Sequence, residues 1–260
     1  MTDSVWVFVV LCASAFFAGA INSIAGGGTL LTFPTLLAVV SPVAANATST
    51  MALLPGSIAS AWAYRRDVRH PPKLLWWLAV PSLAGGLTGT LLVTRTPERY
   101  FAALVPWLIL TATVLFTLQP LVARMIRSQA APAAEHSSAH LMFLAAAQLL
   151  VAIYGGYFGA GIGILMLSAL AYMGLRNVHE MNALKTILAF LVNGVSAAIF
   201  ALEGKVNWHY VGPMALSAIA GGYLGARLSL RFPSAAVRRV VIAIGFSMAA
   251  YYLYGQFTRA

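Results

Sequence analysis

Residues 84–97 read Ala-Gly-Gly-Leu-Thr-Gly-Thr-Leu-Leu-Val-Thr-Arg-Thr-Pro, and residues 220–233 read Ala-Gly-Gly-Tyr-Leu-Gly-Ala-Arg-Leu-Ser-Leu-Arg-Phe-Pro. The pairs Gly85/Gly221, Gly86/Gly222, Gly89/Gly225, Arg95/Arg231 and Pro97/Pro233 coincide at an offset of 136. Worked outward at that offset, residues 19–97 lie over 155–233 without a gap, and 16 of the 79 pairs are identical. Asn46, Ala47 and Thr50 fall on Asn182, Ala183 and Thr186. Nearly all of the repeated sequence is apolar, so the duplicated unit is a membrane unit. Duplications of this kind build many secondary transporters, which hold substrate where the halves meet. Transport is therefore the leading expectation.

Composition points the same way. Hydrophobic residues make up 60% of the 260, charged residues 8%, and mean hydropathy is +0.84; a soluble domain carries about 25% charged residues. Cys12 is the single cysteine, which excludes a disulfide within the chain and any cysteine-based metal cluster. A net charge of +10 would suggest nucleic acid in a soluble protein. Here the basic residues sit mostly in short loops between apolar segments, where they set topology and meet headgroups, so nucleic acid is not an expected partner. Residues 1–20 loosely resemble a signal peptide but lack a basic start and run directly into the repeat; they read as the first membrane segment.

Hydropathy divides the chain into ten segments, at 5–24, 29–41, 44–64, 74–94 and 99–118, then 139–157, 161–174, 180–201, 208–230 and 236–257. The expected fold is all-α and integral to the membrane, with a first repeat at 1–120, a polar cytoplasmic linker at 121–138 and a second repeat at 139–260. The second segment of each half is short and follows a glycine cluster, so it either crosses or re-enters. Placing the basic loop of Arg65, Arg66, Arg69 and Lys73 in the cytoplasm puts 11 basic residues inside and four outside: Arg95, Arg99, Lys205 and Arg259. Both termini then lie outside the cytoplasm. The loop at 65–73 is inside while its repeat partner at 201–209 is outside, so the halves read as inverted repeats in the plasma (inner) membrane.

Two pairs of motifs carry a resemblance to a known family. The first half has Gly26-Gly27-Gly28-Thr29 leading to Pro34, then Asn46-Ala-Thr-Ser-Thr50; the second has Gly159-Ala-Gly161-Ile-Gly163, then Asn182-Ala-Leu-Lys185-Thr186. The chain resembles the sulfite exporter TauE/SafE family of membrane permeases over about residues 8–255. That resemblance implies transport of sulfur-containing anions such as sulfite and organosulfonates, with no cofactor. The second half departs from the pattern: it lacks a triple glycine, and Leu170 stands opposite Pro34.

The candidate substrate-binding residues are Gly26, Gly27, Gly28, Thr29, Asn46, Ser49 and Thr50 in the first half, and Gly161, Gly163, Asn182, Lys185 and Thr186 in the second. Glycine clusters let helices pack closely. They also break a helix, so that the next half-helix aims its N-terminal N–H groups at an anion. The two asparagines read either as helix caps or as one face of a site shared with the threonine four residues on. Lys185 replaces Ser49 of the first half. A charge within a membrane segment marks function by default, and an ammonium supplies what a sulfonate needs. The alternatives are snorkelling to the interface and pairing with Glu180. Asp67 and Glu203 read as solvated or loop-bracing residues, with gating or proton coupling as the alternative. The five histidines lie in loops or near segment ends, and the segments hold no nucleophile–base cluster, so an enzyme is not expected. An anion channel or uniporter on the same scaffold is the alternative function. The expected partners are a small anion, the bilayer and, as an open option, further copies of the chain.

Overall fold

The computed structural model describes residues 4–24, 26–65, 72–129, 138–172, 178–228 and 234–258. Asp67, Arg66, Arg69, Arg176, Arg231 and the linker residues 130–137 lie outside them. The described residues form ten α-helices: α1 (Val5–Ile24), α2 (Thr29–Leu37), α3 (Pro42–Ala63), α4 (Pro72–Arg95), α5 (Glu98–Gln129), α6 (Ser138–Tyr157), α7 (Ile162–Tyr172), α8 (Val178–Leu202), α9 (Trp208–Leu228) and α10 (Ser234–Phe257). Each corresponds to one apolar segment. Proline opens α3 and α4, where its missing N–H costs nothing and its fixed φ suits a first turn. The exception in length is α5, which continues eleven residues past the apolar segment's end at 118. Leu121-Val-Ala-Arg-Met-Ile-Arg127 is rich in helix formers, and a helix need not stop where hydropathy falls.

Four helices are long and apolar enough to cross a bilayer by length and composition: Val5–Ile24, Leu75–Arg95, Glu98–Leu118 and Glu180–Leu202. α2 and α7, with nine and eleven residues, are about 13 and 16 Å long at 1.5 Å per residue, well short of a ~30 Å hydrocarbon core. α3 is long but carries Asn46, Thr48, Ser49 and Ser60, all buried inside the protein. A set of polar side chains is thus buried within a mainly apolar interior, and large apolar side chains also cover the outside. All six tryptophans (Trp6, Trp62, Trp76, Trp77, Trp107 and Trp208) are exposed, the behaviour of residues that face lipid and its interface.

The packing crosses between the halves. α1 lies on α9 and α6 lies on α4; α3 also lies on α9, and α8 on α4. α2 meets α10 as α7 meets α5, while α3 meets α8 and α5 meets α10. Exchanging the halves turns every one of these pairs into another that is present. The duplicated glycine motif explains the two main crossings. A Cβ on Gly221 or Gly225 of α9 would strike the backbone of Phe16 or Ala20 of α1; one on Gly85 or Gly89 of α4 would strike the backbone of Leu149 or Ile153 of α6. Small residues let these helices approach to backbone contact, where dispersion and weak C–H···O bonds hold them in lipid. α3 and α8 run in opposite directions: Ser41 at the start of α3 lines a polar pocket with Gly204 and Lys205, just beyond the end of α8.

Replacing Gly89 or Gly221 by valine is expected to cost about 1–3 kcal/mol by overpacking. A Cβ at exposed Gly212 meets nothing within 4 Å, so Gly212→Ala is expected to be neutral or slightly stabilising. Melting of the detergent-purified variants by fluorescence-detected size exclusion checks both.

Candidate functional site

Two helix breaks build the site. Gly26 N–H donates to Ile21 O at 3.0 Å, closing the end of α1, and Gly26 and Gly27 take φ of +77° and +99°. Residues with a Cβ rarely adopt that region. Gly159 N–H donates to Tyr154 O at 3.4 Å in the same way, and Gly159 and Gly161 take φ of +79° and +81°. Each break spans four residues, 25–28 and 158–161. The matching glycines are therefore offset by 133 and 134, not 136: the second turn comes three residues early, and α7, two residues longer than α2, with a connection one residue longer, restores the register by the start of α8. In place of a triple glycine the second break spaces its two positive-φ glycines one residue further apart, at 159 and 161 rather than 26 and 27.

The two breaks cross each other. A Cβ on Gly26 would lie 2.6 Å from Gly163 Cα, and one on Gly163 would lie 2.8 Å from Gly26 Cα and 3.2 Å from Lys185 Cδ. Gly163 therefore gives way to two neighbours, a backbone and the stem of a lysine. Phe33 of α2 and Phe158 of the second break brace the crossing edge to face, with ring centroids 5.1 Å apart, and the Phe116 ring of α5 lies over Gly27.

Lys185 reaches into this crossing from α8 and is 1% exposed. Its Nζ donates to Asn22 O at 2.7 Å, Ser23 O at 3.1 Å and Asn182 Oδ1 at 3.3 Å. An ammonium has three N–H donors, and these acceptors match them. Asn22 and Ser23 are among the last residues of α1, so the ammonium sits at the negative end of that helix dipole. Neither snorkelling nor Glu180 accounts for its position. Tyr64, just past α3, donates to the same Ser23 carbonyl at 3.3 Å. Asn22 turns its side chain the other way: its Oδ1 accepts from Gly28 N–H at 2.7 Å, capping the break before α2.

The first half answers with an amide. Asn46 Nδ2 donates to Tyr157 O, the last carbonyl of α6, at 2.9 Å. A side chain of α3 thus ties the end of α6, as one of α8 ties the end of α1. Asn46 Oδ1 is buried without a hydrogen-bond partner. Ser49, the counterpart of Lys185, shares a 2.6 Å hydrogen bond with Thr32 of α2.

A cavity of about 30 Å³ lies at the crossing. Of the sequence candidates, Gly26, Gly27, Thr29, Gly163, Lys185 and Thr186 line it, together with Gly159 and Asn193. Asn182 stands behind Lys185, and Gly28 behind Asn22. Asn46, Ser49, Thr50 and Gly161 are not in the lining. Sequence reading missed Asn22, Ser57 and Ser60, which are. For Asn22 there was a signal, since an asparagine just before a glycine run is a usual helix-break residue. For the two serines on α3 there was none. The cavity opens on the first turns of both α2 and α7, and no carboxylate is in its described lining.

The model of the family described as "Sulfite exporter TauE/SafE" matches residues 11–252. A protein of Haemophilus influenzae named "Probable membrane transporter protein" is 27% identical over 252 residues, covering 96% of each chain. The "Probable membrane transporter protein YfcA" of Escherichia coli K12 is 31% identical over 251 residues, covering 94% of this chain and 89% of its own. The "Probable membrane transporter protein YunE" of Bacillus subtilis is 24% identical over 262 residues, covering 92% of this chain and 96% of its own. No solved structure matches.

Asn22→Ala removes the cap on Gly28 and is expected to cost about 1 kcal/mol. Gly26→Ala meets both the strained φ and Gly163, and is expected to cost more. Thermal melts of the two variants beside the wild type rank them; equal melts would contradict the crossing.

Proposed function

The chain belongs to the sulfite exporter TauE/SafE family of membrane transporters, and on that premise we propose that it moves small sulfur-containing anions, sulfite or organosulfonates, across the plasma membrane by alternating access. One observation carries the reading. The N-terminal turns of two half-length helices and a buried ammonium converge on a single cavity whose described lining holds no carboxylate. Half-helix N-termini present N–H groups and a positive dipole end, and the positive charge of the Lys185 ammonium adds to them. Thr29 and Asn193 offer a hydroxyl and an amide to the oxygens of a sulfonate, whereas the Thr186 hydroxyl is engaged by Asn182 O at 2.7 Å. Lys185 acts chiefly through its field, because its three N–H groups are engaged by Asn22, Ser23 and Asn182.

In this reading, residues 1–120 and 139–260 are inverted copies joined by a cytoplasmic linker, and α2 and α7 re-enter from opposite sides. The antiparallel course of α3 and α8, the exchange symmetry of the packing and the two crossed breaks support it. Arg95 and Lys205 line one pocket with Glu98. Their shared face agrees with the arginine distribution that sets both termini outside the cytoplasm. The cavity holds about two waters and is smaller than a sulfonate with its substituent. Binding therefore needs the halves to part, which is the movement alternating access requires.

Counterflow into proteoliposomes, with sulfite, sulfate, thiosulfate and methanesulfonate, tests the substrate class. Saturable exchange of at least one sulfur anion is expected; movement of none of them contradicts the proposal, and non-saturable flux favours a channel. Lys185→Ala is expected to lower exchange tenfold to a hundredfold, from the ~1.5–3 kcal/mol of a charged interaction.

A further inference from the structure

Resting on the anion-transport reading, we propose that Lys185 Nζ is also the proton carrier of the transporter, so that one proton travels with each monovalent anion. Lys185 is the one charged side chain in the described lining of the cavity. Each of its three partners is an uncharged oxygen: two main-chain carbonyls and an amide. With no carboxylate bound to it, the counter-charge to this ammonium is the anion that enters the cavity. Proton and anion then bind with positive coupling, each stabilising the other by the same factor.

The groups around Lys185 leave this role to it. α1, α3, α4, α6 and α7 pack against α8. From α3, Tyr64 shares the Ser23 carbonyl with it. From α6, Tyr154 donates to Ala160 O, and Tyr157 packs on Phe101; His140 stands at the far end of that helix. Cys12 lies ten residues before Asn22 on α1, about 15 Å along its axis. Arg65 follows α3, while Lys73 and Arg95 mark the two ends of α4. α7 contributes Tyr172 at its last position. On α8 itself, His179 and buried Glu180 precede Lys185 by six and five residues; at five residues Glu180 points roughly 140° around the helix.

The step balances simply. Loaded, the site holds R–NH3⁺ and a monovalent anion. Once the anion has left to water, Nζ gives one proton to the same water and becomes R–NH2, whose two N–H groups still serve two of the three oxygens. Loaded and empty sites are both neutral, so neither return carries an uncompensated charge through the membrane interior.

Methanesulfonate is the probe, because it stays a monovalent anion throughout the working pH range. Wild-type proteoliposomes clamped at zero potential with potassium and valinomycin, and containing a trapped pH dye, are compared with and without a pH gradient. At one-to-one coupling, an inward gradient of about one pH unit should drive accumulation towards about tenfold, and uptake without a gradient should acidify the lumen. Counterflow that proceeds while the gradient changes nothing overturns the proton proposal and leaves the transporter standing. Absence of wild-type counterflow overturns both. In Lys185→Arg, which keeps its charge but does not release a proton, the ratio of uptake with to without the gradient should fall to one whatever the residual rate. A ratio like that of the wild type would assign the proton to another group. The wild-type dye measurement decides whether a proton travels with the anion even if the variant does not fold, and the variant's ratio decides whether Lys185 carries it.

Discussion

An ammonium inside a membrane protein needs oxygen around it, and here a helix supplies that oxygen by stopping. The carbonyls of Asn22 and Ser23 are left over where α1 ends, and Lys185 takes them. Much of the surrounding architecture follows. α1 ends where it does because Gly26 and Gly27 adopt backbone angles that other residues resist. The chain then restarts as a helix too short to span the membrane. The second half makes the same break against the first, and the two meet at Gly26 and Gly163 because neither has a side chain there. The lysine stem lies over Gly163, so charge, break and crossing are parts of one contact.

The duplication performs two separate tasks. In α4 and α9 it repeats a packing device, the glycine face that seats each helix on the first helix of the other half. In α3 and α8 it repeats a tie, in which a polar side chain holds the end of the opposite half's first helix. The packing device is symmetric. The tie is an amide in one half and an ammonium in the other, so the site is nearly symmetric in shape and lopsided in charge. Asn46 keeps an unpartnered buried Oδ1, whereas Asn182 Oδ1 is met by Lys185.

Hydropathy alone placed all ten helices to within a few residues, except for the extension of α5 beyond 118, where helix propensity outlasts apolarity. The repeat also made the glycine motif and the Ser49/Lys185 asymmetry legible. It misled at the breaks. An ungapped offset sets Gly27 over Gly163, yet Gly27 lies within a turn and Gly163 in the first turn of α7. Two turns of equal length can occupy different registers when the next helix and its connection absorb the difference, and identity at one position hides the shift. The ligands of Lys185 were illegible for another reason: two are main-chain carbonyls, which any residue carries. Ser57 and Ser60 enter the cavity only because α3 passes beside the crossing, a fact of tertiary packing. Membership of the TauE/SafE family, read from the paired motifs, agrees with the match over residues 11–252.

The central claim is that the crossing of the two breaks is an anion site. An experimental structure of the protein with 2-bromoethanesulfonate, phased on the anomalous scattering of bromine, tests it most directly. The account predicts a bromine peak beside the first turns of α2 and α7, with the sulfonate turned towards Thr29, Asn193 and Lys185. A peak confined to the Arg95–Lys205 pocket, or none at a concentration that saturates exchange, would contradict it.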